Sequence, residues 1–218
     1  MSSSLYRQRC NLERYRLKRK ILIIGNGPSA VEKEYGSIID SAEWDVVMRF
    51  NRWDKHDDGT KWKDNSKYVG SRCDYWMIND LRLQVGVDRR NDYSGVFVVC
   101  PKFKYNYQLF KQIENQYENI KFMPIEYEDY INKNIVDFSP KWPSTGVIGM
   151  YFATLHFDEV LLHGFDTYDD KYDSIHYFED KPNKYKNSSD KDHEPSKEKE
   201  FIKLIKEKYN VKLLEDVI

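Results

Sequence analysis

Ile21-Leu22-Ile23-Ile24-Gly25-Asn26-Gly27-Pro28-Ser29-Ala30 is a short apolar run that ends in a glycine turn and reopens with proline. The pattern predicts a buried strand over 21–24 and a helix over 28–39, with Pro28 in its first turn. Glycines let a backbone approach ligand oxygens closely, and a helix start aims free N–H groups and its positive dipole end at an anion. The stretch therefore reads as a cradle for a phosphate-bearing ligand, most simply a nucleotide.

Outward from this turn the chain alternates. Asp45–Phe50, Tyr75–Ile78 and Val96–Val99 read as strands, and 106–117 as a helix with Leu109, Phe110 and Ile113 on one face. A short strand is expected at 122–125, a strong one at 159–165 and a last one at 211–214. Pro143-Ser144-Thr145-Gly146 opens a small, apolar helix running to about His156, and 195–209 is helical with Phe201, Leu204 and Ile205 in register. Strands alternating with helices predict an α/β, Rossmann-like, mostly parallel sheet of about seven strands with helices on both faces. Ligands in such folds sit at the carboxyl ends of the strands. The most unusual segments lie there: the glycine turn, Asn51, the Ser144-Thr145-Gly146 helix start, and Gly164-Phe165.

Length and charge bound the rest. The 218 residues carry 35 Lys and Arg against 36 Asp and Glu, net -1, so no strongly basic nucleic-acid signature is present. Three widely spaced cysteines, Cys10, Cys73 and Cys100, form no zinc pattern and are expected to be reduced thiols of a cytoplasmic protein. No segment has the length or leading apolar run of a membrane span or signal peptide. Residues 1–20 form a basic arm, expected to be solvated, with weak contact of residues 7–20 to an anionic membrane surface as the alternative. Residues 21–218 read as one domain, in which the polar stretch 179–193 is expected to act as a mobile lid. The oligomeric state stays open.

The glycine turn fits a dinucleotide fingerprint, Gly25-x-Gly27-x-x-Ala30. That fingerprint also needs an acidic residue after the second strand, for the ribose hydroxyls. Here the strand ends in Arg49-Phe50-Asn51-Arg52. This disfavours NAD and leaves NADP open, since arginine suits a 2′-phosphate.

A nucleotide sugar is the second candidate, and here the motifs carry a resemblance. Gly25-Asn26-Gly27-Pro28-Ser29 with Asp45–Asn51 resembles the nucleotide-binding half of sialyltransferases, closest in form to the bacterial Campylobacter-type family. Gly36-x-x-Ile39-Asp40 and Val69-Gly70-Ser71-Arg72 resemble the large sialyl motif of the animal-type family. Pro143–Gly146 with Glu159-Val160-x-x-x-Gly164-Phe165-Asp166 resembles the small motif, His176-Tyr177-Phe178-Glu179 motif III, and His193-x4-Glu198 the very small motif. The resemblance covers residues 21 to 215. It departs at the animal-type disulfide between the large and small motifs, since Asp158 precedes Glu159 and no cysteine lies near Ile21.

The resemblance implies a GT-A-like variant of the fold and an inverting, metal-independent transfer of sialic acid, or a related sugar such as Kdo, from a CMP donor to a glycan or glycolipid hydroxyl. His193 is the candidate base. It stands just before Glu194-Pro195, where the helix dipole disfavours imidazolium and keeps the ring able to accept a proton. Tyr168, Tyr172 or His176 would stabilise departing CMP. Gly25, Asn26, Gly27, Pro28, Ser29, Asn51, Ser144, Thr145, Gly146, Gly164 and Phe165 would hold the donor. Each has a plainer reading: turn-forming asparagines, N-capping by Ser144 or Thr145, a loop histidine, and Glu198 as an orienting or structural group. His163, on a strand, reads as a satisfied core or edge residue. Asp190-Lys191-Asp192 is formally a metal-binding Asp-x-Asp, but it lies in a polar loop, and a single-phosphate donor needs less charge neutralisation. The rival readings are a pyrophosphokinase, a methyltransferase or an NADP enzyme on the same turn, or a nucleotide-binding regulatory module.

Overall fold

The computed structural model describes residues 19–54, 63–101, 104, 106–166, 174, 176–178 and 194–218. Seven strands form one sheet: β1 (Lys20–Ile24), β2 (Val46–Phe50), β3 (Tyr75–Asn79), β4 (Gly95–Val99), β5 (Ile120–Phe122), β6 (Glu159–His163) and β7 (Val211–Leu213). Their spatial order is β5-β4-β3-β2-β1-β6-β7, and every pairing is parallel. The chain lays down β1 to β5 in one direction and then returns to place β6 on the other side of β1. The carboxyl ends of β1 and β6 are therefore the point where the strand order reverses, the place where open α/β sheets bind ligands.

The inner strands are largely apolar runs because both faces are covered, while the edge strands β5 and β7 each expose a lysine, Lys121 and Lys212. In β1 the side chains alternate: Ile21 and Ile23 join the cluster on one face, Leu22 and Ile24 that on the other. The first face carries α5 (Ile125–Asn134), α6 (Thr145–His156) and α7 (Pro195–Lys208), through Ile131, Val147, Met150, Phe201 and Ile205. The opposite face carries α1 (Gly36–Ile39), with Ile39 and Trp44 against β1 and β2. It also carries α3 (Leu83–Asp88) and α4 (Tyr107–Gln116), with Phe110 among Trp76, Ile78, Val96 and Val98. The remaining helix is the single turn α2 (Ser66–Val69). Its far side is fixed by Asp40, whose carboxylate accepts from the Ser71 and Arg72 N–H groups at 2.8 Å and from the Ser71 hydroxyl at 2.9 Å.

Three expected elements differ. The helix over 28–39 is instead a 3-10 turn, Pro28–Val31, a loop, and then α1. The expected strand at 122–125 lies earlier, at Ile120–Phe122, because Pro124 caps α5, which the sequence reading did not identify. Glu126 and Glu128 in the first turn of α5 suit its dipole. The strand expected to run to Phe165 ends at His163, because Gly164 adopts φ +71°.

Gly149 lets α6 lie close on the sheet. A Cβ there would stand 2.6 Å and 2.8 Å from the Phe50 ring and 3.0 Å from the Met77 sulfur, all three residues being buried. Gly149→Ala gains about 1 kcal/mol of helix propensity, but overpacking a dense core costs about 1–3 kcal/mol. Urea unfolding should show a net loss of stability; an equally stable or more stable variant would show that Phe50 yields freely.

Candidate active site

Two loops meet in backbone contact at the strand-order reversal. The Gly25 N–H donates to the His163 carbonyl at 2.7 Å, and the Gly27 N–H to the Gly164 carbonyl at 2.9 Å. A Cβ on Gly25 would lie 2.3 Å from the Gly164 oxygen, and one on Gly27 would lie 2.1 Å from Asp166 Oδ2. Glycine at both positions is therefore set by the neighbouring loop. The Ser29 N–H is also engaged, donating to Asp166 Oδ2 at 2.9 Å. This corrects the expectation of a helix whose free N–H groups cradle phosphate: the N–H groups of Gly25, Gly27 and Ser29 face the β6 loop, and the 3-10 turn is too short to supply a helix dipole.

A cavity of about 420 Å³ opens beside this wall. Gly25, Asn26, Gly27, Asn51, Gly164 and Phe165 line it on the sheet side, and Ser144, Thr145 and Gly146 at the start of α6. His176 closes it from a segment distant in sequence. Pro28 and Ser29 do not line it; Ser29 borders a second cavity of about 280 Å³ behind the same wall. His193, Tyr168, Tyr172, the expected lid 179–193 and the arm up to residue 18 lie outside the described residues.

The two asparagines differ. Asn26 donates through Nδ2 to the Phe50 carbonyl at 3.0 Å, and its buried Oδ1 has no partner among the described residues. It is an acceptor held at the cavity. Asn51 has φ +46°, and its Oδ1 accepts from the Asn79 N–H at 3.1 Å, while its carbonyl takes the Trp76 indole N–H at 2.7 Å. Its carboxamide thus fixes the turn that joins the ends of β2 and β3, leaving Nδ2 as the group it can offer a ligand.

The start of α6 is the helix N-terminus that faces the cavity. The first N–H groups of a helix have no partner within it. The Ser144 Oγ takes that of Val147 at 3.3 Å, and Thr145 and Gly146 remain toward the cavity they line. Glu198, in the first turn of α7, reaches the same cavity. It is only 7% exposed, its side chain hydrogen-bonds Ser144, and its Oε1 has no partner among the described residues. Burial pushes its carboxyl up to about 7, with the Ser144 bond opposing that shift.

His176 is carried on a short segment tied to the cradle. The next residue, Tyr177, donates its N–H to the Asn26 carbonyl at 3.0 Å and its hydroxyl to the Trp53 carbonyl at 2.9 Å. Burial, partly offset by the nearby Arg49 guanidinium, pushes that phenol up to about 12. The His176 ring stacks on Phe178 with centroids 5.1 Å apart. Arg49 is completely buried, its Nε donating to the Arg72 carbonyl at 2.7 Å and its Nη2 to the Val69 carbonyl, with the guanidinium over the Trp53 ring. It is a strut beneath the site, which removes it as a partner for a 2′-phosphate.

Sequence reasoning gave no role to Asp166, Trp142, Asp80 or Lys104, all of which line the cavity, and read Glu198 only as orienting or structural. Asp166 stood inside a quoted motif; its fixed position became visible only with its Ser29 bond. Asp80 and Lys104 form an ion pair at 3.5 Å on the far rim. His163 is a satisfied core residue, as expected, with Nδ1 2.5 Å from Glu215 and Nε2 3.2 Å from the Ala30 carbonyl. Among the described residues no cluster of His, Cys, Asp or Glu could hold a metal ion, and no helix is long and apolar enough to cross a membrane.

Amide and hydroxyl groups gathered where a parallel sheet reverses its order make the ligand crevice of a Rossmann-like fold. Residues 99–209 match the profile of glycosyltransferase family 29 (sialyltransferase). That is just over half of the 218 residues, and the chain belongs to that family. It is a glycosyltransferase that takes its sugar from a nucleotide-sugar donor. The fold is similar to that of a mammalian sialyltransferase crystallised in complex with Gal-beta-1-3GalNAc-ortho-nitrophenol. The TM-score is 0.60 at 18% identity, covering 90% of this chain and 69% of that one. No curated protein matches the sequence.

Between its ordinary value of 4.5 and about 7, Glu198 holds a proton in the folded chain that the unfolded chain has released. Stability therefore falls as pH rises through this window and levels off above it. Glu198→Gln removes the dependence. At pH 8 the variant should be the more stable by up to about 3 kcal/mol, a gap that closes toward pH 5. Urea unfolding of both proteins at the two pH values checks this, and an equal gap at both would show that Glu198 does not titrate in the window.

Proposed function

We propose that this chain is an inverting, metal-independent sialyltransferase that moves sialic acid from CMP-sialic acid to a glycan hydroxyl. The observation that carries the reading is that His176, placed by resemblance in motif III, shares one cavity with Asn26 and the Ser144–Gly146 helix start. Asn26 lies more than a hundred residues before the other two, and the resemblance assigned each of them to the donor site by a different motif.

In this reading Asn26 and Asn51 offer an acceptor and a donor to the nucleoside, and the start of α6 receives an anionic group of the donor. The single phosphate of a CMP-sugar suits neutral donors. The acceptor oxygen attacks the anomeric carbon while the bond from that carbon to the CMP phosphate oxygen breaks. His193 takes the acceptor proton. Support for its role is that Glu198, the other end of the His-x4-Glu motif, lines the cavity. His176, with Tyr168 and Tyr172 as alternatives, stabilises the charge growing on departing CMP. The stretch 179–193 closes over the bound donor, and the basic arm is solvated, with weak contact of residues 7–20 to an anionic membrane surface as the alternative. The burial of Arg49 weighs against an NADP enzyme.

Calorimetry with CMP, NADP, S-adenosylmethionine and ATP should show a preference for CMP. Binding of NADP or ATP without CMP would overturn the proposal. Asn26→Ala should weaken CMP binding about tenfold, the worth of one hydrogen bond to a buried acceptor. His193→Ala should bind CMP normally yet lose transfer to a panel of lactosides read by mass spectrometry; full activity would remove His193 as the base.

A further inference from the structure

We propose that Glu198 is a positioning residue that sets the direction of the Ser144 hydroxyl, and so decides whether the start of α6 accepts an anionic oxygen of the donor. The inference rests on the nucleotide-sugar reading above and adds a proton to it.

The Ser144 oxygen is anchored, because it accepts the Val147 N–H. What can move is its hydroxyl proton. Ser144 is 8% exposed and Glu198 7%, they hydrogen-bond each other, and both line the cavity. An ionised carboxylate only accepts hydrogen bonds. With Glu198 charged, the Ser144 proton is drawn to it, away from the cavity, and a buried negative charge, its Oε1 without a partner among the described residues, lies behind the start of α6. With Glu198 neutral the bond reverses. The carboxyl O–H donates to the Ser144 oxygen, whose second lone pair is available, and the Ser144 proton turns toward the cavity beside the Thr145 and Gly146 N–H groups. Anion binding and protonation of Glu198 are then coupled, and each favours the other by the same factor.

The carboxyl is placed to switch in the working range, since burial brings it to about 7. The charged and titratable groups around it are Asp166, His176, Asp80 and Lys104 across the cavity. Tyr151 and His156 lie on α6, Asp137 and Lys141 on the segment leading into it, and Glu194, Lys197 and Lys199 on α7 itself. The two influences on Glu198 are burial, which raises it, and Ser144, which lowers it.

The test is calorimetry of wild type and Glu198→Gln between pH 6.5 and 8.5, with CMP, cytidine and CMP-sialic acid. A neutral amide keeps a donor toward Ser144 at every pH. Wild-type affinity for CMP should fall by about tenfold or more across the range, as the competent fraction shrinks, while the variant stays level and near the wild-type value at pH 6.5. Cytidine should show no such difference. A difference seen with CMP-sialic acid but not with CMP assigns the anion as the sugar carboxylate and supports the inference equally. Wild-type titrations in two buffers of unlike ionisation enthalpy should also show proton uptake on binding at pH 8, a readout that needs no variant. Equal pH profiles in the two proteins for both anionic ligands, or no proton uptake, would overturn the inference while leaving CMP binding intact. No CMP binding at any pH would instead remove the nucleotide-sugar reading itself.

Discussion

The site depends on one close approach, that of the Gly164 carbonyl to the turn after β1. It accepts the Gly27 N–H at 2.9 Å and occupies the space where Gly25 would carry a side chain. The left-handed backbone of Gly164 aims it there. From this seam the rest is positioned in sequence. Asp166 is held to Ser29, and Phe165 is brought edge-on to Phe50 and against Gly146, which locates the start of α6. The Asn26 carbonyl then receives Tyr177 and with it the segment bearing His176. Gly25 and Gly27, with Gly164 from far along the chain, thus act as a single joint, and the cavity is what remains beside it.

The inner strands β1, β4 and β6 were legible because they are buried on both faces and read as apolar runs. The parallel sheet covered by helices on both faces followed from the alternation of strands with helices. What could not be read depended on contacts across the chain. The pattern from Pro28 onward is compatible with a helix; it becomes a 3-10 turn in the company of Asp166, 137 residues away. Helix α5 escaped notice because its sequence, Ile125-Glu126-Tyr127-Glu128-Asp129-Tyr130-Ile131, buries only Ile131 and has little apolar periodicity.

The candidate site divides in the same way. The glycine turn and the Ser144 cap announce themselves by residue type and position. Arg49 reads as a phosphate ligand until its guanidinium is found among the Val69 and Arg72 carbonyls. Glu198 sits in a helix of alternating charges, Lys197-Glu198-Lys199-Glu200, where nothing local separates the one buried carboxyl from its solvated neighbours. Only the fold shows that its side faces α6, with Lys197 pinned to the Ser139 carbonyl next to it. Burial, more than residue identity, makes its chemistry different.

The seam also has two sides. Gly164, Phe165 and Asp166 border the larger cavity on one side, and the same three residues border the smaller one on the other, with Ser29, Tyr35, His163 and Glu215 behind them. The partition is one strand of backbone thick. A displacement of it from the rear is a change of shape at the front, so selectivity against relatives that share the nucleotide-facing groups can be sought in residues that never meet the nucleotide.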